Sequence, residues 1–186
     1  MLEKYSKTKM MYQGNAVGFR CDEVILPNGK KAAREYLTHP GAVAVVPFLD
    51  SPRKKPLAQC RIIMVEQFRY PVGKLTIEIP AGKLSPKENP LKCVERELQE
   101  ETGYRAKKIN RLISFWPTAA FANEIIHIYW ADQLTAGPSN PDDDEFLNVH
   151  VETFASPLKK IKSGSIRDSK TIIALLSCLQ LFSKQS

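Results

Sequence analysis

The chain has 186 residues, of which 43% are apolar and 25% charged, the proportions of a soluble globular protein large enough to bury a core without disulfide or metal staples. They exclude a collagen-like, low-complexity or disordered chain, and the longest apolar run, residues 42–48, is far too short to cross a bilayer, so no membrane partner is expected. The net charge of +7 favours anionic ligands, yet the lysines fall in scattered pairs with no long basic block, so no nucleic acid partner is expected either.

Cys21, Cys60, Cys93 and Cys178 have no metal-binding spacing. Together with an N-terminus, MLEKYSKTKMMYQ, that lacks the apolar segment of a secretory signal, they point to free thiols in a reducing cytoplasm.

In chain order, Val17–Leu26 and Ala32–Leu37 flank Pro27-Asn28-Gly29 and predict an antiparallel hairpin within residues 14–38. His39-Pro40-Gly41 breaks the chain before a buried strand, Ala42–Phe48. A polar loop at 50–58 leads to a partner strand, Arg61–Gln67, and Leu75–Ile79 reads as a short strand ending at Pro80-Ala81-Gly82. Asn89 as N-cap, Pro90 in the first turn and Gly103 past the end predict a helix over 90–102. Strands follow at about 111–116, 125–131 and 148–154, then a short helix from Ser156-Pro157 to Gly164. A last helix carries Ile172, Ile173, Leu175, Leu176, Leu179 and Phe182 on an apolar face. The pattern is α+β with a mixed sheet, read as an N-terminal hairpin region over 1–40 and a main domain over 41–186.

The chemistry concentrates in the helix at 90–102. Glu97, Glu100 and Glu101 stand at i, i+3 and i+4 and so share one face, while Leu91, Val94 and Leu98 fall on an adjacent, core-facing side. Three like charges on one face destabilise a helix unless something offsets them, and a hard divalent cation such as Mg²⁺ does so through carboxylate oxygens. The spacing around them is more specific: Gly82, five residues, Glu88, seven residues, Arg96-Glu97-Leu98, one residue, Glu100-Glu101, one residue, Gly103-Tyr104.

This pattern resembles the Nudix box at each of its fixed positions. The resemblance implies an α/β/α sandwich with a mixed sheet, here preceded by the hairpin, and water attack on a phosphorus of a diphosphate, assisted by Mg²⁺, with Mn²⁺ as the alternative ion. It implies that Glu97 and Glu101 are the main metal ligands, with Glu100 joining them or binding through water and the Ala81 carbonyl as a further ligand. It also implies that Arg96 holds the glutamates by ion pairs, that Glu88 braces the loop, and that Gly82 allows close backbone approach.

Arg34-Glu35-Tyr36, His39-Pro40-Gly41-Ala42-Val43, Glu66-Gln67-Phe68-Arg69-Tyr70-Pro71-Val72-Gly73 and Glu78-Ile79-Pro80-Ala81-Gly82 look like the corresponding segments of the ADP-ribose and nucleoside diphosphate sugar pyrophosphatases. By that likeness Arg69 contacts the diphosphate, Glu78 lines the substrate pocket, and Asp143 or Glu145 supplies the general base, with Glu145 also a candidate metal ligand. Many ADP-ribose hydrolases have Pro-Gly where this chain has Ala119-Ala120, which leaves a broader sugar-nucleotide specificity open. Trp116, Phe121 and Tyr129 are candidates for stacking on a base, against the commoner use of aromatics in a core. The resemblance further implies a homodimer formed through the N-terminal strands. Two rival readings are a Nudix hydrolase of dinucleoside polyphosphates or nucleoside triphosphates, and a non-catalytic nucleotide sensor. The sensor normally loses box glutamates that this chain keeps.

Overall fold

The computed structural model describes residues 2–140 and 145–183. The chain divides into two compact units, residues 1–41 with 116–125 and residues 42–115 with 126–186.

The first unit carries an antiparallel sheet in the order β1-β2-β3, formed by β1 (Lys4–Gln13), β2 (Gly18–Ile25) and β3 (Lys31–Thr38). The expected hairpin is β2–β3. Its turn is set by Gly29 at φ 81°, a left-handed value open to a residue without Cβ. The Lys30 N–H donates to Asn28 Oδ1 at 3.1 Å, and the Leu26 N–H donates to the Lys30 carbonyl at 2.8 Å. β1 is an addition to the sequence reading. Every one of its residues is exposed, so no alternation marks it as a strand. Residues 116–125 complete the unit: the Leu37 N–H donates to the Phe121 carbonyl at 2.9 Å and the Asn123 N–H to the Leu37 carbonyl at 3.1 Å.

The second unit contains β4 (Ala42–Pro47), β5 (Arg61–Arg69), β6 (Lys74–Glu78), β7 (Ala81–Lys83), α1 (Pro90–Thr102), β8 (Tyr104–Phe115), β9 (Ile126–Ala136), β10 (Leu147–Thr153), α2 (Ala155–Lys162) and α3 (Ser169–Ser183). A mixed sheet runs β7-β4-β9-β8, parallel between β4 and β9, and an antiparallel sheet runs β10-β5-β6. The apolar run of β4 is explained by burial on both faces. Val43 and Val45 pack with Cys93, Val94 and Leu98 of α1. Ala44 and Val46 belong to the opposite core with Ile62, Met64, Leu175 and Phe182. That core also holds stacked Phe48 and Phe154, centroids 5.8 Å apart, and edge-on Trp130 and Phe182 at 5.2 Å. Such pairs add about 0.5–1.5 kcal/mol each beyond burial.

Four expectations shift. β8 and β9 run further than read, Tyr104 pairing with Ala136, because the adjacent exposed lysines Lys107 and Lys108 hide the strand period. The chain does not stop at Gly82 but resumes as β7, pairing Ala81 with Ala44 and Gly82 with Val43. Leu91 is exposed and Cys93 takes its place in the core. The buried side of α3 is Lys170, Thr171, Ala174, Leu175, Cys178 and Phe182, leaving Leu176 and Leu179 exposed. A helix apolar nearly all round does not announce its face by periodicity. Among the described residues no helix is long and apolar enough to cross a membrane.

Candidate active site

The site is built where β7 meets α1. Asn89 caps α1, its Oδ1 accepting the Leu91 N–H at 2.9 Å, and Gly103 ends it at φ 75° with its N–H on the Gln99 carbonyl at 2.8 Å. The helix therefore presents Glu97 and Glu101 inward, 7% and 3% exposed, beside Cys93, Val94 and Leu98 rather than on a solvated face. Glu100 is half-buried.

Gly82 makes the close approach possible. A Cβ added there would lie 1.8 Å from Glu97 Cδ and within 2.2 Å of both its oxygens, so any side chain there would push the Glu97 carboxylate aside. One residue earlier, the Ala81 N–H donates to Glu101 Oε2 at 3.0 Å. The two carboxylates thus stand against consecutive residues of β7.

Arg96 ties the box together. It grips Glu88 with two bonds of 3.1 Å, from Nε and Nη2, while Nη1 reaches Glu97 Oε1 and Glu100 Oε2, both at 2.8 Å. Glu88 also accepts the Ser85 N–H at 2.9 Å and returns its own N–H to the Ser85 carbonyl at 3.0 Å, which closes the loop before α1. The Arg96 guanidinium, helped by the Ser85 N–H, holds the Glu88 carboxyl down at about 2.

The inner carboxylates behave oppositely. Burial pushes Glu97 up to about 7, with Glu100 and Glu145 adding repulsion that Arg96 only partly offsets. Burial likewise pushes Glu101 up to about 8, against the Ala81 N–H and with further repulsion from Glu145 and Glu97. Glu145, half-buried ahead of β10, is therefore within electrostatic reach of both. Asp143 lies outside the described residues.

Arg69 and Glu78 form a second cluster. Arg69 Nε and Nη2 meet Glu78 Oε1 and Oε2 at 2.8 and 2.7 Å, a bidentate pair. Glu78, expected to line a substrate pocket, is instead 1% exposed, and it also receives the Thr76 hydroxyl at 2.6 Å and the Lys170 ammonium. Burial alone would raise its pKa, but Arg69, Lys170 and Thr76 outweigh burial and hold it at about 2. Tyr129 is buried in the α1-side core, an ordinary packing residue, while Trp116 and Phe121 are exposed in the first unit.

Sequence reasoning misses Lys170, Asp168 and Thr171. The signal was present: Lys170 heads an i+4 row with Ala174, Cys178 and Phe182, all buried, and a lysine on such a row needs an anionic partner.

The groups that could hold a cation are Glu97, Glu100, Glu101 and Glu145. Among the described residues no three such groups are already drawn into a cage. The donor chemistry nonetheless fits a hard divalent ion: all oxygens, crowded, two of the carboxylates driven toward protonation by burial first and by neighbouring carboxylates second.

The NUDIX domain family matches residues 38–172. A methanol dehydrogenase activator of Bacillus methanolicus is 42% identical over 175 residues, covering 93% of this chain and 90% of that protein. An ADP-ribose pyrophosphatase of Bacillus subtilis (strain 168) is 39% identical over the same length, with the same coverage. A solved structure of an ADP compounds hydrolase superposes with a TM-score of 0.83 at 16% identity, covering 100% of this chain and 97% of that one, and so shares the fold.

Proposed function

The chain belongs to the NUDIX family, and on that premise we propose that it is a pyrophosphatase hydrolysing ADP-ribose and related nucleoside diphosphate sugars to a nucleoside monophosphate and a sugar phosphate. The observation that carries this reading is the pair of buried glutamates, Glu97 and Glu101, held against Gly82 and the Ala81 N–H. Such a crowded, partly desolvated carboxylate pair is costly to fold and is explained by a cation that binds there.

Nudix pyrophosphatases generally depend on a divalent metal, and the ion proposed here is Mg²⁺, or Mn²⁺ in its place. Glu97 and Glu101 would hold it, with Glu100, Glu145 and the Ala81 carbonyl as further donors. When bound, the ion supplies charge neutralisation at the phosphate oxygens and acidity to a water. The chain's own residues do the rest. Arg96 bridges Glu97 and Glu100 through its Nη1 and orients both. Glu145 or Asp143 takes a proton from the attacking water as it adds to phosphorus, and the bridging P–O bond breaks to release the two monophosphates. Arg69, 42% exposed with its Nε–Nη2 edge fixed by Glu78, offers its Nη1 donors to the diphosphate. Glu78 then serves by orienting Arg69 from behind.

Protonation makes metal binding pH-dependent. Glu97 and Glu101 have folded pKa values raised to about 7 and about 8. Their contribution to apo stability is therefore fully present below the ordinary value of 4.5 and is lost as pH rises through 7 and 8. The apo protein is expected to melt at lower temperature at pH 8.5 than at pH 6, and Mg²⁺ to raise the melting temperature more at pH 8.5. Thermal scans with and without Mg²⁺ check this, and an equal Mg²⁺ effect at both pH values would count against a carboxylate site.

Gly82→Ala is expected to displace Glu97 and lower kcat about 100-fold, the usual cost of an ångström-scale misplacement. Steady-state kinetics on ADP-ribose read this directly, and near-normal kcat would remove Glu97 from the reaction.

The substrate class is tested with Mg²⁺ and a panel of ADP-ribose, GDP-mannose, UDP-glucose, a dinucleoside polyphosphate and a nucleoside triphosphate. Preferential turnover of the diphosphate sugars is expected. Preference for the polyphosphates selects the first rival, and tight binding without turnover selects the sensor.

The N-terminal strands are proposed to form a homodimer, with residues 1–40 as the dimerising region and 41–186 as the hydrolase domain. The supporting feature is β1, an edge strand whose exposed side chains include Tyr5, Met10, Met11 and Tyr12. The proposed compartment is the cytoplasm, in keeping with four free cysteines.

A further inference from the structure

We infer that the first turn of α3 is a positioning device for this site: Asp168, Lys170 and Thr171 fix the Glu78–Ala81 segment from which both Arg69 and Glu101 take their places. The inference rests on the pyrophosphatase reading and goes beyond the box.

Asp168 caps α3, its Oδ2 accepting the Thr171 N–H at 2.9 Å and the Thr171 hydroxyl at 2.6 Å. That second bond orients the hydroxyl oxygen, which accepts the Ile79 N–H at 3.0 Å. Thr171 is fully buried, so this is a backbone anchor that water does not replace. Its neighbour Lys170 spans Asp168, 3.0 Å from Oδ1, and Glu78. One turn of one helix thus holds two consecutive residues, Glu78 by its carboxylate and Ile79 by its amide.

The residues immediately beyond this anchor give the arrangement its purpose. Two positions after Ile79, the Ala81 N–H bonds Glu101, and next comes Gly82 against Glu97. Residues 79–81 are too few to absorb a shift at one end without moving the other, since Pro80 fixes its own φ. On the other side, Glu78 sets the plane of the Arg69 guanidinium through its bidentate pair. The α3 turn therefore acts on the proposed metal ligands and on the proposed diphosphate-binding arginine through the same short segment. A simple scaffold would need only apolar packing here, which α3 already supplies through Ala174, Leu175, Cys178 and Phe182.

The test compares the full chain with Thr171→Val, Thr171→Ala and Thr171→Ser. Mn²⁺ affinity is measured by electron paramagnetic resonance alongside kcat and KM for ADP-ribose. Valine and alanine remove the acceptor for the Ile79 N–H, and serine keeps it. Valine and alanine are expected to weaken Mn²⁺ binding roughly 10-fold or more, as loss of outer-shell support does at other metal sites, with a fall in kcat. Serine is expected to stay within about threefold of the parent, well short of that loss. Alanine, which leaves space beside the Ile79 amide where valine sets a methyl group against it, covers the case in which valine prevents folding. Parent-like Mn²⁺ affinity and kcat in a folded valine or alanine variant would overturn the inference, as would serine failing as badly as valine. A parent protein that binds no Mn²⁺ would instead overturn the pyrophosphatase reading.

Discussion

Glu101→Gln is expected to leave the protein folded and to abolish hydrolysis, with kcat down by about 10³-fold, the several kcal/mol that correct placement of charge at a phosphoryl centre supplies. The two halves of this result have one cause. Glu101 is 3% exposed and its carboxyl is pushed up to about 8, so in the metal-free protein at neutral pH it is mostly protonated. A neutral amide of the same shape then costs little, and its oxygen can still accept the Ala81 N–H. What glutamine lacks is the charge that a cation requires. Circular dichroism should match the parent, while Mg²⁺-dependent stabilisation and turnover are lost together. A variant that keeps turnover within a factor of ten would take Glu101 out of the reaction.

Glu78→Gln carries the second large effect, on stability. It removes the anion shared by Arg69 and Lys170, leaving Lys170 with Asp168 alone and Arg69 against a buried neutral group. Breaking a buried pair from one side costs about 3–5 kcal/mol, well beyond an exposed salt bridge at about 0–1. The sign in pH comes from the depressed value. Glu78 ionises at about 2 in the folded protein against an ordinary 4.5, so its stabilisation is present above 4.5 and is lost as pH falls through 2. Urea unfolding across pH 2 to 7 should show the parent losing this contribution on acidification and the variant lacking that slope. A variant within 0.5 kcal/mol of the parent at pH 7, roughly the spread for an innocuous surface change, would show the cluster to be dispensable.

Much of the site was legible because its logic is local. Asn89, Pro90 and Gly103 punctuate α1, and both ends fall where those residues place them. The box spacing brings Glu88, Arg96, Glu97 and Glu100 into contact within one loop and one helix. Three things were not legible, each for a physical reason. β1 buries nothing, and without burial a strand has no period to read. β7 is only three residues, and its identity lies in its pairing with β4, a long-range fact. The Lys170–Glu78 contact spans 92 residues of sequence, so only the buried i+4 row on α3 hinted that its lysine had a partner. Glu78 shows the same limit: the sequence reads it as lining a pocket, and neither its burial nor its pair with Arg69 is marked by any local pattern.

The most direct measurement is ³¹P NMR of ADP-ribose incubated with the protein and Mg²⁺. The two diphosphate resonances are expected to be replaced by two phosphomonoester resonances, those of AMP and ribose 5-phosphate, and chelation of the metal is expected to stop the change. Unchanged diphosphate resonances for ADP-ribose, GDP-mannose and UDP-glucose, with a folded protein that binds Mg²⁺, would contradict the pyrophosphatase assignment.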